Sequence, residues 1–202
     1  TATLGNRSGV PVSPEITEIE SMKLDPQALQ SGNKTHNQLG MYRGQRMSGR
    51  KPILNTGITI EIDRELDPAL FRESFNYVVS KADALRSVFR FADGGVRRMV
   101  LEPEELGFEL EVHDFTAQPD EADAWINACL LQNFNLKKRL FDAALLKLAD
   151  DKYVWLLVQH HLICDGISCA NIVEHVSNRY AQLESGDRSD FDLPPYTDLV
   201  QR

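Results

Sequence analysis

The sequence predicts an α/β sandwich, with strand pairs alternating with helices around one hydrophobic core. Three observations carry that prediction. Segment 57-GITIEI-62 alternates Ile58, Ile60 and Ile62 against Thr59 and Glu61, the period of a half-buried strand. Segment 152-KYVWLLVQHH-161 is nearly continuous hydrophobe, as expected of a central strand covered on both faces. Segments 67-DPALFRESFNYVVSKADALR-86 and 168–184 repeat apolar residues at spacings of three and four, which gathers them on one helix face.

Taken in order, residues 1–16 are rich in Gly, Ser, Thr and Pro, lack periodicity and read as linker. The extension is expected to run to residue 35, with a short helix near 26-PQALQ-30, and the pattern tightens from residue 36. After the strand at 57–62, Asp67 stands as a helix N-cap. Pro68 takes the first helical position, where its missing N–H costs nothing. Phe71, Phe75, Val78, Val79 and Ala82 form that helix's apolar face. Arg86–Arg90 and 96-VRRMVL-101 read as a hairpin turned at Asp93-Gly94-Gly95.

A further strand, 108-FELEVHDF-115, alternates Phe108, Leu110 and Val112. Residues 120–133 suit a helix with Ala122, Trp125, Ile126 and Cys129 on one side. Strands 143-AALLKLA-149 and 152–161 are joined at Asp150-Asp151. The last helix, 168–184, carries Ile172, Val173, Val176, Tyr180 and Leu183, with Ser168 as its N-cap.

Composition narrows the function classes. With 202 residues, 42% of them hydrophobic, the chain can build one sizeable core. Thirty acidic against 22 basic residues, with no Lys/Arg block or aromatic-basic stripe, argue against a nucleic-acid surface. Apolar runs such as 153-YVWLLV-158 are far too short to cross a bilayer, and no signal-peptide pattern opens the chain. Three cysteines, Cys129, Cys164 and Cys169, make no disulfide framework, so a reducing cytoplasm is the expected setting. The chain opens without Met and stops at Arg202, and reads as a piece of a longer polypeptide.

The chemistry concentrates in 158-VQHHLICDGIS-168. A strand end on a rigid scaffold can present a titratable ring to a cleft. Adjacent strand residues point to opposite faces, so only one of His160 and His161 can face a given cleft, and alternation from Val158 does not say which. Both could instead be structural. His160, His161, Cys164, Asp165, Cys169 and His175 are crowded enough to suggest a metal site, yet no CxxC or HExxH pair is present. Cys164, near the histidines and just ahead of a helix, could be a nucleophilic thiol, though no third orienting group is identifiable. Asp165 suits either a turn leading into Gly166 or one half of a buried ion pair.

Residues 160-HHLICDG-166 match HHxxxDG, and this resembles the condensation-domain superfamily of acyltransferases, which includes nonribosomal peptide synthetase condensation domains and chloramphenicol acetyltransferase. The surrounding segments are similar to the family's in the same order. Segment 38-QLGMY-42 resembles the first motif, and 81-KADALRSVF-89 resembles RHExLRTxF at the end of a helix opened by Leu66-Asp67-Pro68. An FNL segment at 134–136 leads toward the motif, with Asn135 where Asp is usual, and 196-YTDLVQR-202 resembles YxDFAVWQR.

The resemblance implies a chloramphenicol acetyltransferase-like two-layer sandwich, a mixed sheet with helices packed on one face, forming one lobe of a two-lobe domain. Residues 36–185 would be the N-terminal lobe, and 186–202 the start of the crossover to a C-terminal lobe. It also implies that His161 faces the active-site tunnel, that His160 is mainly structural, and that Asp165 holds the loop through an ion pair with a basic residue. Lys81 stands where the family has its first Arg and Arg86 matches the second, while Ala82 and Asp83 replace His and Glu. Lysine carries the charge without the bidentate geometry.

The implied reaction is transfer of an acyl group from a phosphopantetheine thioester on one carrier-protein domain to an amine on a second, forming an amide, with no metal and no directly bound cofactor. His161 would take the proton or orient the amine and steady the tetrahedral intermediate. Gly166 would leave room for substrate and expose a backbone N–H, a donor typically worth ~3 kcal/mol at a developing oxyanion. Surface meant for the other lobe would be left apolar. A stand-alone coenzyme A-dependent acyltransferase working as an oligomer, or a non-catalytic lobe docking carrier proteins, are the alternatives.

Overall fold

The computed structural model describes residues 34–49, 51–92 and 95–193. The expected helix at 26-PQALQ-30, nearly all of the linker, turn residues Asp93 and Gly94, and the 196-YTDLVQR-202 segment lie outside the described residues.

The elements run α1 (His36–Met47), β1 (Asn55–Asp63), α2 (Pro68–Lys81), β2 (Ser87–Ala92), β3 (Gly95–Val100), α3 (Pro103–Leu106), β4 (Glu111–Asp114), α4 (Glu121–Leu130), β5 (Phe141–Ala149), β6 (Lys152–His160) and α5 (Gly166–Glu184). Four strands form a mixed sheet in the order β1-β6-β5-β4, and β2-β3 is a separate hairpin. Strand β6 pairs antiparallel with β1 and β5, while β4 runs parallel to β5.

The position of β6 follows from its residues. Tyr153, Trp155 and Leu157 join the main core with Phe71 and Phe75 of α2 and Val176 of α5. Val154, Leu156 and Val158, on the alternate positions, pack into a second cluster with Ala122 and Trp125 of α4. A strand apolar on both faces needs cover on both. The two long helices α2 and α5 pack on one face of the mixed sheet, as expected of this fold class, and the shorter α4 adds cover on the other. Gly57 of β1 makes that approach possible, because a Cβ there would collide with Leu130 Cδ2.

Helix α2 starts as its sequence dictates, with the Asp67 side chain accepting from the N–H groups of Ala69 and Leu70 and Pro68 at the first position. It stops at Lys81, short of the expected 86, because Ala82 turns extended and residues 83–86 form turns. There Asp83 and Arg98 make a buried ion pair at 3.2 Å, and Arg98 Nε donates to Ser87 Oγ at 2.8 Å. The hairpin is thereby clamped to the end of α2.

Three expectations change. The strand expected at 108–115 shrinks to β4, because Arg72 Nε and Asn76 Oδ1 of α2 take up the carbonyl and N–H of Leu110 that would have extended the ladder. Helix α1 was not expected, since buried Gln38 and Gln45 interrupt its apolar face of Leu39 and Tyr42. Helix α5 begins at Gly166 with Asp165 as N-cap, three residues earlier than the Ser168 cap expected. Among the described residues, no helix is long and apolar enough to cross a membrane.

Trp155 is 1% exposed, with the rings of Phe71 and Phe75 edge-on at 5.3 and 5.7 Å. Replacing Trp155 with Ala removes that contact and leaves a cavity, so urea unfolding should show a loss of about 3–5 kcal/mol.

Candidate active site at the end of strand β6

The β1–β6 ladder ends at the pair Asn55↔His160. His161 has left the strand, although its N–H still donates to Leu54 O at 2.8 Å. The turn is closed by Ile163 N–H donating to His160 O at 3.0 Å. The two rings then meet different surroundings, so alternation along the strand gives way to the turn's own hydrogen bonds.

His160 is 2% exposed and fully engaged. Its Nδ1 accepts the Leu162 N–H at 3.1 Å, which leaves the ring proton on Nε2, 3.4 Å from Gln45 Oε1. Burial, reinforced by the neighbouring His161, pulls its pKa down to about 4, so this ring is neutral.

His161 is half-buried, and its Nδ1 lies 2.7 Å from Cys164 O. A carbonyl only accepts, so Nδ1 carries the proton and Nε2 keeps its lone pair. Among the described residues Nε2 has no partner. A ring held by one nitrogen with the other available is suited to accept a proton.

Asp165 caps α5, its Oδ1 accepting from Ser168 N–H at 2.8 Å and Ser168 Oγ at 2.7 Å. Those two bonds hold its carboxyl below the ordinary aspartate range, helped by His161 nearby. This corrects the expected ion pair. Lys81 Nζ instead lies 3.2 Å from both Asp190 Oδ2 and Asp192 Oδ1. Arg86 donates through Nη1 to Leu101 O, and its buried Nε finds no hydrogen-bond partner among the described residues. The local cap wins because it satisfies helix N-terminal donors without ordering a distant side chain. Gly166, the first residue of α5, is exposed, and among the described residues nothing beyond its own helix backbone and chain neighbours lies within 4 Å of where a Cβ would sit.

The alternative chemistries lose ground on geometry. Cys164 is buried, its Sγ donates to His160 O at 3.6 Å, and burial pushes its thiol up to about 12. A protonated buried thiol is a poor nucleophile. Cys169 is likewise buried, donating to Gln159 Oε1 at 3.1 Å. His175 stands against Phe191 farther along α5. Among the described residues no three His, Cys, Asp or Glu side chains converge as metal ligands.

Two residues of α1 bind the loop: Gln38, which opens the first motif but carried no assigned role, and Gln45, which lies in no motif. Gln38 Nε2 donates to Leu162 O at 2.8 Å, and Gln45 faces His160. Their seven-residue spacing, two helical turns, was readable as one face, but nothing in the sequence marked that face as buried. A separate cleft of about 650 Å³, lined by Trp125, Cys129, His113 and Leu156 among others, lies over the β4–β5 edge and includes no residue of the His160–Gly166 loop.

A family model described as "Condensation domain" matches residues 33–202. The isonitrile lipopeptide synthase of Streptomyces coeruleorubidus is 29% identical over 154 residues, covering 74% of this chain and 10% of that protein. Surfactin synthase subunit 2 of Bacillus subtilis (strain 168) is 31% identical over 159 residues, covering 78% of this chain and 4% of that protein. The crystal structure of the starter condensation domain of rhizomide synthetase RzmA superposes with a TM-score of 0.77 at 29% identity, over 83% of this chain and 42% of that one. The chain thus spans a tenth or less of these curated relatives and under half of the solved domain.

The neutral buried His160 has a consequence for stability. Its folded pKa, about 4, lies below the ordinary 6.5, so between those values the unfolded chain binds a proton that the folded chain does not. Its contribution is complete above the upper value and drains away as pH falls toward the lower, amounting to on the order of 3 kcal/mol. Denaturant unfolding of the wild type across that window should show this slope, and His160→Gln should lack it.

Proposed function

Because the chain belongs to the condensation-domain family, we propose that it is the N-terminal lobe of a peptide-synthetase condensation domain and that His161 is its catalytic residue. In this reading residues 36–185 form the lobe and 186–202 begin the crossover. The donor acyl group arrives as a thioester on the phosphopantetheine of one carrier-protein domain, and the acceptor amine on that of a second. Like the relatives it matches, the lobe works within a larger polypeptide. The three thiols, all free, suit the cytoplasm.

The observation that carries this reading is the free Nε2 of His161, fixed by the bond from Nδ1 to Cys164 O. The amine nitrogen attacks the thioester carbonyl carbon, forming the C–N bond. Nε2 takes the proton that nitrogen must lose, or holds the amine so that its lone pair points at the carbonyl. As the C–S bond breaks, the thiolate leaves with the electron pair and accepts the amine's proton, from the imidazolium in the first case and directly from the amine nitrogen in the second. The open side of Gly166 leaves space for the pantetheine arm, and its backbone N–H is a donor for the developing oxyanion. His160 and Asp165 serve as supports, one by filling the turn and the other by capping α5.

Changing His161 to Ala in the full native protein should slow amide formation about a hundredfold or more while carrier loading stays normal. Product formed at the wild-type rate would refute the assignment. Residues 1–202 alone should not condense loaded carriers, because the solved domain extends well beyond the part matched here. Turnover by this piece alone would show that one lobe suffices.

A further inference from the structure

The polar residues that α1 buries do more than fill space. Gln38 and Gln45 are only 6% and 9% exposed, and their side-chain amides bond to neighbouring groups of the fold. Leaving such amides unpaired would cost free energy, so their partners define a required geometry. Gln45 Nε2 donates to Lys51 O at 2.8 Å and, more weakly, to Gly49 O at 3.4 Å. With both donors committed, Oε1 must face outward, and it meets His160 Nε2. That acceptor selects the His160 tautomer whose Nδ1 can take the Leu162 N–H. The carbonyl of the same Leu162 is taken by Gln38.

The loop that Gln45 grips through Lys51 continues to Leu54, whose carbonyl receives the His161 N–H. One side chain therefore reaches both flanks of His161: the ring of its predecessor and the strand-entry loop that holds its backbone. We propose that Gln45 is a positioning residue for His161, acting through His160 and residues 51–54 to aim the free Nε2. The proposal rests on the reading of His161 given above and extends it to a residue in none of the resembling motifs.

The test is single-turnover amide formation in the full native protein, its carrier domains primed with whichever aminoacyl pair the wild type joins fastest. Gln45→Met keeps the length and removes the amide, and should slow the reaction roughly ten- to hundredfold through misplacement alone, with carrier loading unchanged. Gln45→Glu separates aiming from packing. Protonated, its carboxyl reproduces both the acceptor toward His160 and the donor toward Lys51 O. Ionised, it turns an oxygen against two carbonyls.

Burial raises such a carboxyl's pKa, so the Gln45→Glu to wild-type rate ratio should climb severalfold from about pH 9 to about pH 6. The titratable side chain that faces the position is His160, whose pKa burial pulls down to about 4, so in the wild type it stays neutral across this range. Should Gln45→Met fail to fold, Gln45→Glu decides alone. Wild-type rates in Gln45→Met, or a ratio flat with pH, overturn the positioning role and leave His161 in place. Full activity in His161→Ala overturns the underlying reading instead.

Discussion

A single hydrogen bond, His161 Nδ1–H to the carbonyl of Cys164 at 2.7 Å, sets what the end of β6 can do chemically. It closes within four residues of chain, so it exists only if the backbone between them turns tightly. That turn is secured on every side. His160 O accepts from Ile163 N–H, Leu162 is gripped at both its N–H and its carbonyl, and Asp165 starts α5 immediately afterwards. Remove the turn and the imidazole loses its tautomer, because neither ring nitrogen would have a fixed partner.

The materials of this frame are neutral. Two buried glutamines, a buried histidine and two protonated thiols surround the loop, while the charged Asp165 sits at the exposed helix start. Buried charges would have demanded paired counter-charges at a desolvation cost of several kcal/mol each. Amides and a neutral imidazole demand only matched donors and acceptors, and those matches are directional. A directional frame holds an aimed ring better than a charge pair, whose attraction varies slowly with angle. Buried charges occur elsewhere, in the Arg98–Asp83 pair at the hairpin clamp and at Arg179 of α5.

Much of the scaffold was legible because hydrophobic period controls it. Ile58, Ile60 and Ile62, the α2 face of Phe71, Phe75, Val78 and Val79, and the doubly apolar β6 all appear where their spacing put them. Helix α1 and the trimmed β4 were not legible, since both are decided by long-range polar bonds: Gln38 to Leu162, and Arg72 and Asn76 to Leu110. At the site, the motif residues stood out, yet adjacency of two histidines could not rank them. Which ring is walled in and which is half-open depends on Gln45, 115 residues away from His160 in sequence. The change of partner for Asp165 has the same origin, since the motif does not tell a cap from an ion pair, whereas the position of Ser168 does.

Neighbouring rings hold opposite tautomers, and long-range proton–nitrogen NMR correlation of ¹⁵N-labelled histidines reads them directly. His161 should carry its proton on Nδ1 and His160 on Nε2. A His161 ring protonated on Nε2 would contradict this, because the nitrogen assigned to the reaction would then have no lone pair to offer.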